Sequence, residues 1–308
     1  ALVNEMIFQG RYAVLIRPEV AANLTPPQRQ EVARVLKEEM SEVRPGRVLL
    51  SDASRSGTES MPPAEVEHLF TDRYAVSNAE YQEFVNAGCY EEPELWAEEI
   101  RDSLSTFQDL SHKPGPRYWR NSRYPVGTAD MPVVGVCWYE ADAYARWVGK
   151  RLPADAEWVK TAVSPRASIV ATEQLTRYPW GNAFRDDRAN LWSSGKNQPV
   201  PVAEYPGGQT SEGVCQMIGN VWEWLRDDLR QTFRGGELEG KAADFKAIRG
   251  GAFDTYIESQ AAATCTSGDS PLARRDNIGF RCVLPAKDVA REVFQPELPQ
   301  NSGSKSLT

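Results

Sequence analysis

Residues 219–224 read Gly-Asn-Val-Trp-Glu-Trp, and two shorter motifs answer them: Arg249, Gly250 and Gly251, then Ile278, Gly279, Phe280 and Arg281. Each residue type in these blocks meets a different steric or electrostatic demand. Gly219, Gly250 and Gly251 allow positive φ or close backbone approach, while Trp222 and Trp224 are large amphipathic bodies that must pack. Trp138, Trp180, Trp192, Trp222 and Trp224 are accordingly expected in or near the core rather than as platforms for a ligand.

Composition excludes several classes. The net charge is −8 and no long run of Lys or Arg occurs, so the chain lacks the electrostatic footprint of a nucleic-acid binder. No apolar run approaches the roughly eighteen residues of a membrane span, and the first thirty residues carry no leader pattern. Cys89, Cys137, Cys215, Cys265 and Cys282 are odd in number and contain no Cys-x-x-Cys pair, which argues against a zinc or dithiol motif. At least one thiol is then unpaired within the chain, which favours a reducing, cytoplasmic setting.

Three parts are expected: an N-terminal extension over 1–66, a compact region over 67–286, and a disordered tail over 287–308. In the first, Thr25 is a helix cap followed by Pro26 and Pro27. A helix over about 28–43 then carries Val32, Val35, Leu36 and Met40 on one face. Residues 51–63, rich in Ser, Pro and Gly, read as a loop. In the compact region Ser77 and Glu80 form a capping box, with Tyr81, Phe84 and Val85 on the buried face. Residues 132–137 read as a strand leading into a helix with Ala141, Tyr144, Ala145 and Val148, which Gly149 stops. A third helix carries Ala156, Trp158, Val159 and Ala162, and loops dominate beyond it.

These blocks, taken in order, resemble the sulfatase-modifying-factor or formylglycine-generating-enzyme family. The resemblance rests on Tyr74 to Tyr81, Pro132 to Val134 before Trp138, Gly149 to Pro153, and Ala156 to Trp158. It continues through Tyr178 to Gly181, Ala189 to Trp192, Gly219 to Trp224, Arg249 to Gly251, and Gly279 to Arg281. It implies an α+β, C-type-lectin-like fold with small twisted antiparallel sheets, flanking helices and much loop. Family membership leaves the activity open.

The family's chemistries can be tested on the residues. Its copper oxidases hold Cu(I) with two cysteines after the Gly-Gly pair, whereas here 252–260 contain none and Cys265 follows alone. Its iron enzymes use three histidines, and this chain has two, His68 and His112, which read as surface or hydrogen-bonded residues. Neither copper nor iron is expected. Calcium is the metal with a local signal: the resemblance places Gln216, Gly219, Val221 and Glu223 at a family calcium site, where Gln replaces the commoner Asn. A carboxylate capping its own turn is the alternative for Glu223.

The segment 252–276 is the expected recognition surface. Where relatives place arginines, it has Ala262, Ala263, Thr264, Cys265 and Thr266. Nearly all its residues are reachable from Asn codons altered at two bases, the pattern of retroelement-diversified variable proteins; Glu258 and Gln260 are exceptions. Its mix of aromatic and small polar residues is that of a paratope. The residues expected to bind are Phe253, Asp254, Thr255, Tyr256, Ile257, Ser259, Thr264, Thr266, Ser267 and Asp269, with Phe253, Thr255 and Tyr256 exposed on one face. The function read from this is a non-enzymatic module binding a protein or small molecule. The alternative is a metal-dependent oxidoreductase with a non-standard site, for which Cys265, Glu258 and Asp254 would have to converge. A third reading makes the chain an accessory domain of a longer polypeptide.

Overall fold

The computed structural model describes residues 1–50, 63–163, 176–229, 232–233, 236–237 and 245–293. Nearly all of the expected 51–63 loop lies outside these residues, as does the tail from 294 onward.

The chain opens with three short helices, α1 (Leu2–Phe8), α2 (Tyr12–Leu15) and α3 (Pro18–Ala21). The longer α4 (Pro26–Glu39) starts as expected, with prolines at its first positions and the Thr25 N–H donating to Gln28 Oε1 at 2.8 Å. It ends four residues earlier than its apolar spacing suggests. Met40 turns to extended φ and ψ and opens strand β1 (Met40–Val43), which pairs antiparallel with β4 (Leu69–Asp72). Ladder pairing and burial of Met40 and Val43 outweigh the residual helical preference there. Between them, β2 (Gly46–Val48) and β3 (Ala64–Val66) form a two-stranded ribbon.

The segment 1–66 is therefore more than an appendage. It supplies an edge strand to the sheet β1-β4-β11, where β11 is Val283–Pro285, and the apolar side of α4 to a hydrophobic cluster. Tyr12, Ile16, Val32 and Leu36 in that cluster meet Leu284, Val289, Ala290 and Val293. Residues 287–293, assigned to the tail by composition, are thus partly core, because Val289, Ala290 and Val293 have apolar seats against the N-terminal helices.

Helix α5 (Asn78–Asn86) has the expected capping box: Ser77 N–H donates to Glu80 Oε2 at 2.8 Å and the Glu80 N–H to Ser77 Oγ at 3.3 Å. Tyr81 and Phe84 are fully buried and Val85 only partly. The strand expected over 132–137 does not form; Pro132 makes one isolated bridge to Ser77. Pro132 has no N–H to donate, and Gly135 adopts φ 73° under the Tyr118 ring, where a β-carbon would approach to 2.6 Å. Helix α6 (Trp138–Trp147) ends as expected, with Gly149 N–H on Arg146 O and Lys150 N–H on Ala145 O, a Schellman closure. Helix α7 (Asp155–Val163) buries Trp158, Val159 and Ala162.

The described residues 176–221 are mostly loop, and after them come β5 (Trp222–Asp228), the two-residue strands β6 (Thr232–Phe233) and β7 (Gly236–Glu237), β8 (Lys246–Arg249), β9 (Thr266–Asp269) and β10 (Ile278–Gly279). The second sheet has the order β10-β5-β8-β9, with β10 parallel to β5 and the other pairs antiparallel. Small sheets, flanking helices and extensive loops make an α+β, C-type-lectin-like architecture. Trp138 and Trp224 are buried, each indole N–H on a carbonyl: Leu225 O at 2.8 Å and Val136 O at 3.2 Å. Among the described residues no helix is long and apolar enough to cross a membrane.

Candidate functional site

The 219–224 turn and the Gly250–Gly251 corner are stitched together by the backbone. Gly219 N–H donates to Gly250 O at 2.8 Å, and Phe253 N–H to Asn220 O at 3.0 Å. Gly219 sits at φ 79°, where a β-carbon would fall 2.6 Å from the Asn190 carbonyl oxygen, so only glycine fits without moving backbone. Inward from the turn, Glu223 is 1% exposed and accepts from Arg281, itself buried, through Nε and Nη2 at 2.7–3.0 Å. Trp158 Nε1 adds a third donor at 2.7 Å. Arg281 also donates to the carbonyls of Asp72 and Cys215, which ties the two sheets across the centre of the molecule.

A second buried arginine fixes the segment expected to form the recognition surface. Arg249 pairs with Asp155 at the start of α7 and donates through Nη1 to Ala263 O at 2.8 Å and Cys265 O at 3.1 Å. Ala261, Ala262 and Ala263 are buried, with the Ala261 methyl close against Gly251. Part of 252–276 is thus core, and small residues stand there because the space is small.

The exposed part is narrower than the ten expected residues. Thr255 is buried, contrary to expectation: its hydroxyl accepts from Ala252 N–H at 2.8 Å, and its carbonyl accepts from Trp192 N–H at 3.3 Å. It latches the loop. Phe253 is half-buried, and Asp254 is exposed with its carboxylate on Asn277 Nδ2 at 2.9 Å. Tyr256 and Ile257 point outward, 70% and 52% exposed. Ser259 and Thr266 are exposed, Thr264 and Ser267 half-buried, and Asp269 is taken up by Arg275 at 2.7 Å.

Trp192, expected in or near the core, is 51% exposed and meets Tyr256 edge to face with ring centroids 4.7 Å apart. Two loops some sixty residues apart in the chain thus build one apolar patch. Nothing in the spacing of residues 190–194 marks Trp192 as different from the buried tryptophans. The difference is that Leu191, buried, takes the inward position and leaves its neighbour outside.

The sequence model of the sulfatase-modifying factor enzyme 1-like domain, the FGE-sulfatase family, matches residues 25–286. The chain belongs to this family. Among its relatives, hercynine oxygenase of Mycolicibacterium thermoresistibile is 30% identical over 73% of this chain and 52% of its own length. The chain therefore spans about half of that enzyme. The inactive C-alpha-formylglycine-generating enzyme 2 of Mus musculus is 29% identical over 78% of this chain and 84% of its own. Of solved structures, Treponema denticola variable protein 1 superimposes with a TM-score of 0.57 at 16% identity, over 80% of this chain and 94% of that one. That likeness concerns the fold.

The metals implied by the FGE-sulfatase resemblance can be set against this geometry. Glu223 gives both oxygens to Arg281 and Trp158, so it neither caps its own turn nor has a free lone-pair face for calcium. Gln216 aims its amide nitrogen, a donor, at the carbonyls of Pro201 (2.9 Å) and Glu204 (3.0 Å), and its oxygen accepts from Asn220 Nδ2 at 2.7 Å. The carbonyl of Gly219 accepts from the Val221 N–H. As arranged, the side chains of Gln216 and Glu223 spend their oxygens on protein donors and do not fit a cation.

For a soft metal the thiols are unsuitably placed. Cys137 and Cys282 lie within the aromatic core. Burial pushes both thiols, and Cys215, above the ordinary range, and Cys89 up to about 12, which favours the protonated form. His68 Nε2 lies 2.8 Å from Glu42, and His112 Nδ1 3.3 Å from Gln108. Among the described residues, no group of three His, Cys, Asp or Glu side chains could hold a metal ion. Of the trio needed by the oxidoreductase alternative, Asp254 is engaged by Asn277, Glu258 is exposed, and the Cys265 carbonyl is held by Arg249.

Proposed function

We propose that this chain is a non-catalytic binding module of the FGE-sulfatase family that recognises a protein partner through the face carrying Trp192, Tyr256 and Ile257. The observation that carries the reading is the exposed edge-to-face pair Trp192–Tyr256, mounted on a loop whose backbone Thr255 holds in place. Aromatic side chains lose little entropy on binding and dominate interface energetics, so a pre-ordered exposed pair is a ready anchor. Ile257 extends the apolar area, and exposed Asp254, Glu258 and Ser259 give it a polar rim. Support also comes from a relative named as inactive that this chain matches over most of its length, and from the shared fold of a variable protein. Of the outward residues in this loop, Asp254, Tyr256, Ile257 and Ser259 are types reachable from altered Asn codons, whereas Glu258 is not.

A phage-displayed peptide selection on the immobilised protein, counter-selected on the Trp192→Ser/Tyr256→Ser variant, tests this. The expected result is enriched peptides that bind the parent protein and lose at least about tenfold in affinity on the variant, a typical hot-spot effect. Peptides that bind both forms equally would refute the surface. Copper-dependent conversion of a peptide cysteine to an aldehyde would refute the non-catalytic reading.

A further inference from the structure

The charge of this chain is unevenly laid out. Residues 110–129 contain Lys113, Arg117, Arg120 and Arg123 and no Asp or Glu, in a chain whose 43 acidic residues outnumber its 35 basic ones. We propose that the face carrying these four cations binds an acidic segment of a protein partner.

The arginines at its centre are placed by a tight turn. Arg120 and Arg123 exchange both backbone N–H···O bonds, at 3.0 and 3.1 Å, around Asn121 and Ser122, whose φ values of 53° and 58° are those of a type I′ turn. Residues that exchange bonds in this way stand directly opposite one another, and like charges in that position destabilise the pair. Serine is also uncommon in the left-handed region. Two buried side chains hold it there: Asp109 accepts from Ser122 N–H through Oδ2 at 2.7 Å, and Gln82 on α5 donates to Ser122 O at 2.9 Å. The fold thus maintains a repelling pair on an unfavourable backbone.

The neighbouring cations are locked to the same frame. Asp109 Oδ1 accepts from Ser111 and Lys113 N–H at 2.6 and 3.1 Å, so one carboxylate fixes both Lys113 and the turn. Arg274 donates to Gln108 O at 2.8 Å and Gly115 O at 2.5 Å, and is itself paired with buried Glu140. Lys113, Arg117, Arg120 and Arg123 are all exposed, and among the described residues their side chains form no hydrogen bond or ion pair. Arg117 lies over the Tyr118 ring, 5.8 Å from its centroid. Arg123 lines a groove of about 240 Å3 together with Pro114 and Glu91 but does not pair with Glu91. No contact within the described chain offsets the repulsion across the turn.

The chemistry of the partner follows from these groups. Guanidinium forks bind carboxylates by two-point, charge-assisted hydrogen bonds. Leu110, whose N–H bonds Trp119 O beside the turn, and Tyr118 are exposed, and they give the hydrocarbon of a peptide something to cover. A nucleic acid or an anionic membrane extends far beyond this face and meets the repulsion of a chain of net charge −8. A short acidic segment acts within about one Debye length, ~8 Å, and escapes most of it. This surface shares no residue with the Trp192 face, so either proposal can fail alone.

Fluorescence anisotropy of a labelled oligo-Glu peptide titrated with the full chain tests the assignment, with oligo-Lys and oligo-Ser as controls. Saturable binding of oligo-Glu alone is expected, weakening as salt rises. Arg120→Glu/Arg123→Glu should weaken it at least about tenfold. Lys37→Glu/Arg44→Glu, the same change in net charge at exposed positions elsewhere, should leave it within about twofold. Arg120→Gln removes the like-charge contact, so its melting temperature should equal or exceed that of the parent protein; a fall would mean that the arginine pair serves the fold. The assignment is also overturned if oligo-Glu does not bind saturably, if the folded Arg120→Glu/Arg123→Glu protein binds it unchanged, or if Lys37→Glu/Arg44→Glu weakens it equally. Equal or tighter binding of oligothymidylate or phosphatidylserine vesicles would give the face to another class of partner and likewise overturn it.

Discussion

The turn at 216–223 and the loop at 252–257 lie on either side of the Gly250–Gly251 corner and share backbone hydrogen bonds, yet they treat their side chains oppositely. In the turn the buried polar side chains are answered: Glu223 by Arg281 and Trp158, Gln216 by two carbonyls and Asn220. In the loop the one buried polar side chain, Thr255, is spent on the loop's own backbone, and the large residues face outward. A satisfied interior rigidifies, and rigidity next door is what holds an apolar anchor out in water without collapse. The turn builds the scaffold and the loop uses it.

This contrast can be broken by substitution. Glu223→Ala would leave Arg281 buried without its counter-ion, and urea denaturation should register a loss of about 3–5 kcal/mol. A loss below about 1 kcal/mol would mean that the pair does not organise the centre. Thr255→Val keeps the shape but orphans the Ala252 N–H, with an expected loss of about 1–3 kcal/mol and faster amide exchange at Ala252 and Trp192. If those amides stay protected, the latch is not what orders the loop.

The scaffold side also has a pH signature. Glu157 is held below its ordinary carboxyl range; burial works against this, but the two-point contact with Arg151 at 2.6 and 2.7 Å and the Ala154 N–H outweigh it. Because its folded pKa lies below the unfolded one, its contribution is complete above about pH 4.5 and is lost as pH falls through the folded value. The stability gap between the parent protein and Glu157→Gln should therefore be open at pH 7 and shrink at pH 3. A gap that does not change with pH would remove the ion pair from the account.

On the loop side the effects should be small. Tyr256→Ser touches an exposed ring and should alter stability by no more than about 0.5 kcal/mol while removing partner binding. A larger loss would place Tyr256 with the scaffold rather than the recognition face. Chelation is the smallest expected effect: with Glu223 and Gln216 already satisfied, EDTA should leave the melting temperature unchanged. A fall reversed by calcium would mean that the turn rearranges around an ion.

Much of this was legible in the chain. The cap at Thr25, the capping box at Ser77, the Gly149 stop and the buried faces of α5, α6 and α7 follow from local patterns, because capping and helical periodicity act within a few residues. The ordered blocks likewise carried the family and its fold. The failures share a cause. The end of α4 at Glu39, the missing strand at 132–137 and the core role of 287–293 depend on which distant segment packs alongside, and no local pattern encodes that. The candidate site divides the same way: Tyr256 and Ile257 were readable as surface chemistry, whereas the burial of Thr255 and the exposure of Trp192 were not.

By itself the sequence determined the helices, the glycine corners and the family, and it limits the chain to two histidines and leaves 252–260 without a cysteine, since these are matters of residue type and short spacing. Only the tertiary structure decided that Arg281 and Trp158 donate to Glu223, and that Trp192 meets Tyr256 at the surface. The reason is physical: charge compensation and burial are properties of neighbours in space, and the neighbours here come from segments separated by tens to hundreds of residues.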